Sequence, residues 1–170
     1  RTGTEVVLDH AKAFCKEDGT TPPIMVIVGG TGTGKTHLLE AICRKYLERG
    51  RAVRYEFVPD LLREMRDTQR AGSMESLNNL VYGLDRHPLL VLDDIGSEKA
   101  SDFTVEQLTA LVDLRYRSGR RLAVATNLTR SDVAERLSER IASRLWDKTE
   151  GVAQVVHMSA DTNDFRATRT

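Results

Sequence analysis

One stretch of eight residues, Gly29-Gly30-Thr31-Gly32-Thr33-Gly34-Lys35-Thr36, restricts this chain more than any other, because it fits the pattern G-x-x-x-x-G-K-[ST]. It follows Ile24–Val28 (IMVIV), an apolar run rich in β-branched residues that reads as a buried parallel strand. It leads into a helix expected over Lys35–Arg49, in which Leu38, Leu39, Ile42 and Tyr46 share one face and Gly50 provides the stop. Glycines between a strand and a helix let successive backbone N–H groups turn toward phosphate oxygens, and the helix N-terminus adds its positive dipole end. In that geometry Lys35 reaches the β- and γ-phosphates and the Thr36 hydroxyl ligates Mg²⁺. The expected nucleotide-binding residues are therefore Gly30, Thr31, Gly32, Thr33, Gly34, Lys35, Thr36 and His37.

The rest of the chain repeats the alternation of strand and helix. A helix is expected over Glu5–Lys16, broken by Gly19-Thr20-Thr21-Pro22-Pro23. Ala52–Val58 reads as a strand, followed by Pro59-Asp60, a helix from Leu61 to Arg70 and a second short helix over Ser73–Leu84. Leu89–Leu92 is the most hydrophobic strand. Thr104-x-x-Gln107 looks like a capping box opening a helix that runs to Ser118 and closes at Gly119. Arg121–Ala125 and Val152–His157 read as strands, with short helices over Ser131–Leu137 and Ser138–Asp147 between them. Such alternation predicts an α/β fold around a mostly parallel sheet with right-handed crossovers. A length of 170 residues, 40% hydrophobic and 29% charged, suits one globular domain and not a disordered chain.

The strand Leu89–Leu92 delivers Asp93 and Asp94 to its C-terminal end, the edge at which open α/β sheets bind ligands. With a phosphate loop upstream, Asp93 is the expected Mg²⁺ carboxylate, acting partly through water, and Asp94 the group that polarises the attacking water. Asn127 ends the strand Arg121–Ala125 at the same edge. It could orient that water or the γ-phosphate, or simply form a turn. Arg136, Arg140 and Arg144 recur every four residues with Lys148 continuing the row, either as a solvated face paired with Glu135 and Glu139 or as the source of an arginine presented to a neighbouring subunit's nucleotide.

Lys+Arg 25 balances Asp+Glu 25, so nucleic-acid binding requires a local basic patch and a histone-like protein is excluded. No apolar run approaches the ~20 residues of a membrane span and nothing resembles a signal peptide, which makes a cytoplasmic location the expectation. Cys15, Cys43 and the four histidines lack metal-ligand spacing, so both thiols are expected to pack as small hydrophobes. Arg1 in place of Met suggests a piece of a longer protein.

Taken in order, GGTGTGKTHLLEAI, YEFVPDLLREM, LLVLDDIGSE, ATNL and SERIASRL resemble the AAA+ ATPases of the DnaC/DnaI helicase-loader group, with the IstB transposition helper ATPases close by and the DnaA initiator more distant. The resemblance spans about Ile24 to Arg166. It implies a three-layer P-loop NTPase core of the AAA+/ASCE type with a five-stranded sheet, lacking a full C-terminal helical lid because the chain ends soon after Val156. It makes Asn127, beside Thr126, the sensor 1 position, Arg144 the arginine finger and Arg140 the second choice. The helical pair over Val58–Leu84 corresponds to an insertion that lines a single-stranded DNA path, with Arg63, Arg66 and Arg70 as candidate phosphate contacts. Arg115, Arg117, Arg120 and Arg121 are the alternative basic path. Asp94 stands where most AAA+ proteins carry Glu, which implies slow hydrolysis, and Arg166 falls where loader-like chains often end in a basic residue.

The function so implied is ATP binding and hydrolysis in DNA replication: an AAA+ helicase loader using ATP/ADP and Mg²⁺, binding single-stranded DNA, assembling with itself through Arg144 or Arg140, and serving a replicative hexameric helicase through an N-terminal region outside this chain. An IstB-like transposition helper and a non-hydrolysing ATP switch are the alternatives. A small P-loop kinase would need an acceptor pocket and a mobile lid with several arginines, and the order of Asp93-Asp94 and Asn127 is that of AAA+ proteins instead.

Overall fold

In a computed structural model of the protein, the described residues are 3–16, 19, 21–72, 74–98, 100–147 and 149–159. Lys148 and residues 160–170, Arg166 among them, lie outside the described residues. The elements are α1 (Gly3–Phe14), β1 (Ile24–Gly29), α2 (Lys35–Glu48), β2 (Val53–Phe57), α3 (Val58–Ala71), α4 (Met74–Asp85), β3 (Leu89–Asp93), α5 (Asp102–Ser118), β4 (Arg121–Thr126), α6 (Arg130–Arg136), α7 (Glu139–Leu145) and β5 (Ala153–Met158).

The five strands are all parallel, in the order β2-β3-β4-β1-β5. Val28 aligns with Thr126 on one side and His157 on the other, and Phe57 aligns with Asp93. Because β4 lies between β1 and β3, the chain leaving β4 at Thr126 emerges between the glycine loop and the Asp93–Asp94 pair. This strand order brings three segments far apart in sequence to one edge.

Alternation along the strands divides the core in two. Ile24, Val26, Leu90, Leu92, Leu122 and Val124 face α3, α4, α5 and the α6–α7 pair. Met25, Ile27, Leu89, Val91, Ala123 and Ala125 face α1 and α2, whose contributions include Val7, Phe14, Leu39, Ile42 and Tyr46. Strands covered on both faces read as continuous apolar runs, which is why β1 and β3 stand out in the sequence. Cys15 is buried among the second group and the half-buried Cys43 packs against it, where burial pushes its thiol up to about 11.

Several helix boundaries differ from the sequence expectation. α5 starts earlier than the Thr104-x-x-Gln107 spacing would put it. Ser101 is the N-cap, its hydroxyl accepting from the Thr104 N–H at 3.2 Å, and Thr104 is buried inside the helix, so the Thr104–Gln107 capping box does not form. A capping box does open α6, between Thr129 and Asp132. Ser138 caps α7, which ends at Leu145 and not at Asp147. α3 begins directly after β2, at Val58, with Pro59 in its first turn where a missing N–H costs nothing.

The alternative basic path is also corrected. Arg115 has no exposed surface; its guanidinium donates to His87 O and Leu84 O, both at 2.8 Å, and burial pulls it down to about 10. Arg121 lies over the Phe14 ring and donates to Thr21 Oγ1 and Pro22 O, while Arg120 pairs with the buried Asp85. Arg117 and Arg120 are exposed, whereas Arg115 and Arg121 are buried and hold loop carbonyls, so the four do not form one open basic surface.

Candidate phosphate-binding site

The glycine loop passes from β1 into α2 with two left-handed residues, Gly32 (φ 80°) and Gly34 (φ 91°). Side chains other than glycine avoid that region, and such backbone turns form the concave N–H nests that hold anions. Gly29 has a different reason to be glycine: a Cβ there would stand 2.6 Å from Met158 O and 2.8 Å from Thr33 Oγ1. The Thr33 hydroxyl donates to Gly30 O at 2.9 Å and its side chain is buried. Gly30 and Thr33 shape the loop, whereas Thr31, Gly32, Gly34, Lys35, Thr36 and His37 line a cavity of about 380 Å³ together with Phe57, Asp93, Asp94 and Asn127.

Lys35 is 8% exposed, and its ammonium donates to Gly29 O at 2.7 Å, Gly30 O at 2.8 Å and Asn127 Oδ1 at 2.6 Å. These three oxygens hold the ammonium at the cavity wall, where a phosphate oxyanion would meet it. On the adjoining wall the Thr36 hydroxyl donates to Asp93 Oδ2 at 2.9 Å. A hydroxyl and a carboxylate are hard oxygen donors that fit Mg²⁺.

Asp94 follows β3 in the left-handed region at φ 64°, a conformation that aspartate tolerates better than bulky residues. The next residues are pinned to β4. Ile95 N–H donates to Ala125 O at 3.0 Å, and the Thr126 hydroxyl donates to Ile95 O at 2.8 Å while accepting from Leu128 N–H at 3.0 Å. Gly96 sits at φ 86°, in the left-handed region that favours glycine, and a Cβ there would come within 2.4 Å of Leu128 Cδ1. Thr126 is thus the fastener between two loops, and Asn127, the residue after it, faces Lys35. Glu98 receives the Gly96 N–H on both carboxylate oxygens, and burial, with Asp94 adding to it, holds its carboxyl above the usual range.

Two cavity neighbours escaped the sequence reading. Phe57, 42% exposed, lines the cavity at the end of β2. Tyr55, two residues earlier, donates its hydroxyl to Asp93 Oδ2 at 2.6 Å. Burial and that carboxylate raise the phenol far above its ordinary value. Both look like ordinary strand aromatics in sequence; only the YEF pattern beside an expected Asp strand signals anything.

The remaining candidates lie elsewhere. Arg144, 35% exposed at its side chain, is 3.3 Å through Nε from Asp113 Oδ1 and sits over the Tyr116 ring, and Arg140 pairs with the other oxygen of the same buried carboxylate. The Tyr116 hydroxyl donates to Asp147 at 2.6 Å. On α3, the exposed Arg63 and Arg70 pair with Asp60 and Asp67, and Arg66 donates to Thr104 Oγ1 at 3.0 Å with its guanidinium over Phe103. Neither the α7 nor the α3 arginines line the cavity of this chain.

A family profile described as IstB-like ATP binding protein matches residues 20–169. The chain belongs to the IstB-like ATP-binding protein family. As a member of it, the chain is 33% identical over 138 residues to the replicative helicase loader DnaC of Escherichia coli strain K12, covering 81% of this chain and 56% of that protein. It therefore spans about half the length of the curated relative it matches. Among solved structures, a DnaC helicase loader superposes with a TM-score of 0.77 at 23% identity, over 93% of this chain and 91% of that one. The replication initiator DnaA bound to AMPPCP and single-stranded DNA superposes with a TM-score of 0.78 at 21% identity, over 93% of this chain and 47% of that one. The family member thus shares the fold of those structures, a five-stranded parallel sheet between helices with the phosphate loop after its first strand. Among the described residues no helix is long and apolar enough to cross a membrane, and no group of His, Cys, Asp or Glu could hold a metal by itself.

Proposed function

We propose that this family member binds Mg²⁺·ATP at the cavity between the glycine loop and Asp93, hydrolyses it slowly, and acts in DNA replication as a helicase loader that engages single-stranded DNA in an ATP-dependent manner. The observation that carries the reading is the convergence of Lys35, Thr36, Asp93, Asp94 and Asn127 on one cavity, from the ends of three strands. The glycine loop and Lys35 would hold the β- and γ-phosphates, and Thr36 and Asp93 would hold Mg²⁺, which would supply positive charge against that of the phosphates. Asp94 takes the proton side of the attacking water, and Asn127, already bonded to Lys35, orients that water or the γ-phosphate. Aspartate is one methylene shorter than glutamate and so reaches less far toward an attacking water, which supports the reading of slow turnover.

Arg144, with Arg140 next, completes a neighbouring copy's site, and Arg63, Arg66 and Arg70 contact DNA phosphates. The replicative helicase is the partner reading that the DnaC relative supports, and the family profile supports an IstB-like transposition helper as the second. A steady-state ATPase assay of the purified chain, with and without single-stranded DNA, tests the core of this. Magnesium-dependent phosphate release that vanishes in Lys35→Ala is the expected result. Nucleotide binding without release in any condition would leave an ATP switch. Pull-down of a replicative helicase against a transposase by the full-length protein separates the two partner readings.

A further inference from the structure

We infer that Tyr55 is a positioning residue for the metal-binding carboxylate: its hydroxyl, together with that of Thr36, occupies Asp93 Oδ2 and leaves Oδ1 for the cavity. The inference rests on the site reading proposed above. Asp93 is 6% exposed, and a buried carboxylate is held where its donors place it. Those donors come from two elements. Thr36 approaches from α2 at 2.9 Å and Tyr55 from β2 at 2.6 Å, both on the same oxygen.

Strand register explains why a tyrosine is needed. Tyr55 pairs with Val91, and Asp93 lies two residues farther along β3 on the same face, the face that packs on α2. Two residues of strand span roughly 6–7 Å, a gap that the para oxygen of tyrosine bridges and that leucine or phenylalanine cannot. The ring is partly buried against the core on the α2 side of the sheet, and with Glu40, Cys43 and Val53 it lines a surface cavity between β2 and α2. Thr36 alone would leave the carboxylate free to rotate about its Cβ–Cγ bond. With Oδ2 held from two directions, the plane of the carboxylate is set before any metal arrives.

The test is the magnesium dependence of nucleotide binding, measured by calorimetry with ADP in excess EDTA and in excess Mg²⁺. Tyr55→Phe keeps the ring and its packing, and should leave the metal-free affinity within about twofold of wild type while cutting the gain that Mg²⁺ brings by about tenfold, as expected for one lost hydrogen bond to a charged group. Tyr55→Leu, which also loses the ring, should cut that gain at least as far. A wild-type gain retained in Tyr55→Phe overturns the inference, and so does an equal loss of affinity with and without metal, which would mark Tyr55 as packing only. A wild-type protein that binds ADP no better with Mg²⁺ than without it overturns the site reading itself, and the inference with it.

Discussion

Truncating Lys35 to Ala removes an ammonium that donates to three oxygens, two of them backbone carbonyls of the glycine loop. Lys35→Ala is expected to weaken ATP binding by at least one to two orders of magnitude, since each bond from a charged group contributes about 1.5–3 kcal/mol. The loop backbone should survive, because Gly32 and Gly34 set its path independently of the lysine. Unchanged affinity by calorimetry would remove Lys35 from the site. Asp94→Asn acts differently: Asp93 and Thr36 remain, so ATP should bind with near wild-type affinity while hydrolysis falls roughly 10²-fold or more, the scale of a lost general base. Equal loss of binding in both variants would show that the two residues share one role.

On the scale of elements, α5 and α7 meet at Asp113, whose carboxylate holds both Arg140 and Arg144. If Arg144 reaches a neighbouring copy's nucleotide, it must first leave this carboxylate. Asp113→Asn keeps the shape and removes the negative charge, so the protein concentration giving half-maximal ATPase activity should fall several-fold. Melting temperature should fall as well, because the Asp113 carboxylate is buried and its two arginines are its ion-pair partners. A rise in that concentration would mean that Asp113 presents the arginines instead of withholding them. On α3 the test is the salt dependence of single-stranded DNA binding: neutralising Arg63, Arg66 and Arg70 together should flatten the log–log slope, each lost phosphate contact contributing roughly −0.7. Arg66 is already engaged by Thr104 and Phe103, so its share should be the smallest. An unchanged slope would place the DNA elsewhere.

The whole molecule enters through assembly: Arg144 does not line the cavity that Asp94 lines in its own chain, so the proposed finger would meet a nucleotide only between copies. Arg144→Ala should bind ATP normally yet hydrolyse it poorly, and mixing it with Asp94→Asn should restore part of the activity at the interface that joins an intact Arg144 to an intact Asp94. Full, concentration-dependent activity of Arg144→Ala on DNA would leave Arg140 as the finger. The glycine loop, the apolar strands and the alternation that makes the fold α/β were legible in the sequence by themselves, since each is a local pattern whose physics acts within a few residues. Asp93, Asp94 and Asn127 were legible as residue types at strand ends. Their convergence with Lys35 was decided by the strand order, which sets β4 between β1 and β3. Tyr55 and the buried Arg115 show the remainder. A tyrosine in a strand and an arginine two residues before the exposed Arg117 have no local mark, and their roles come from the register that places Asp93 beside one and from the loop carbonyls that close over the other.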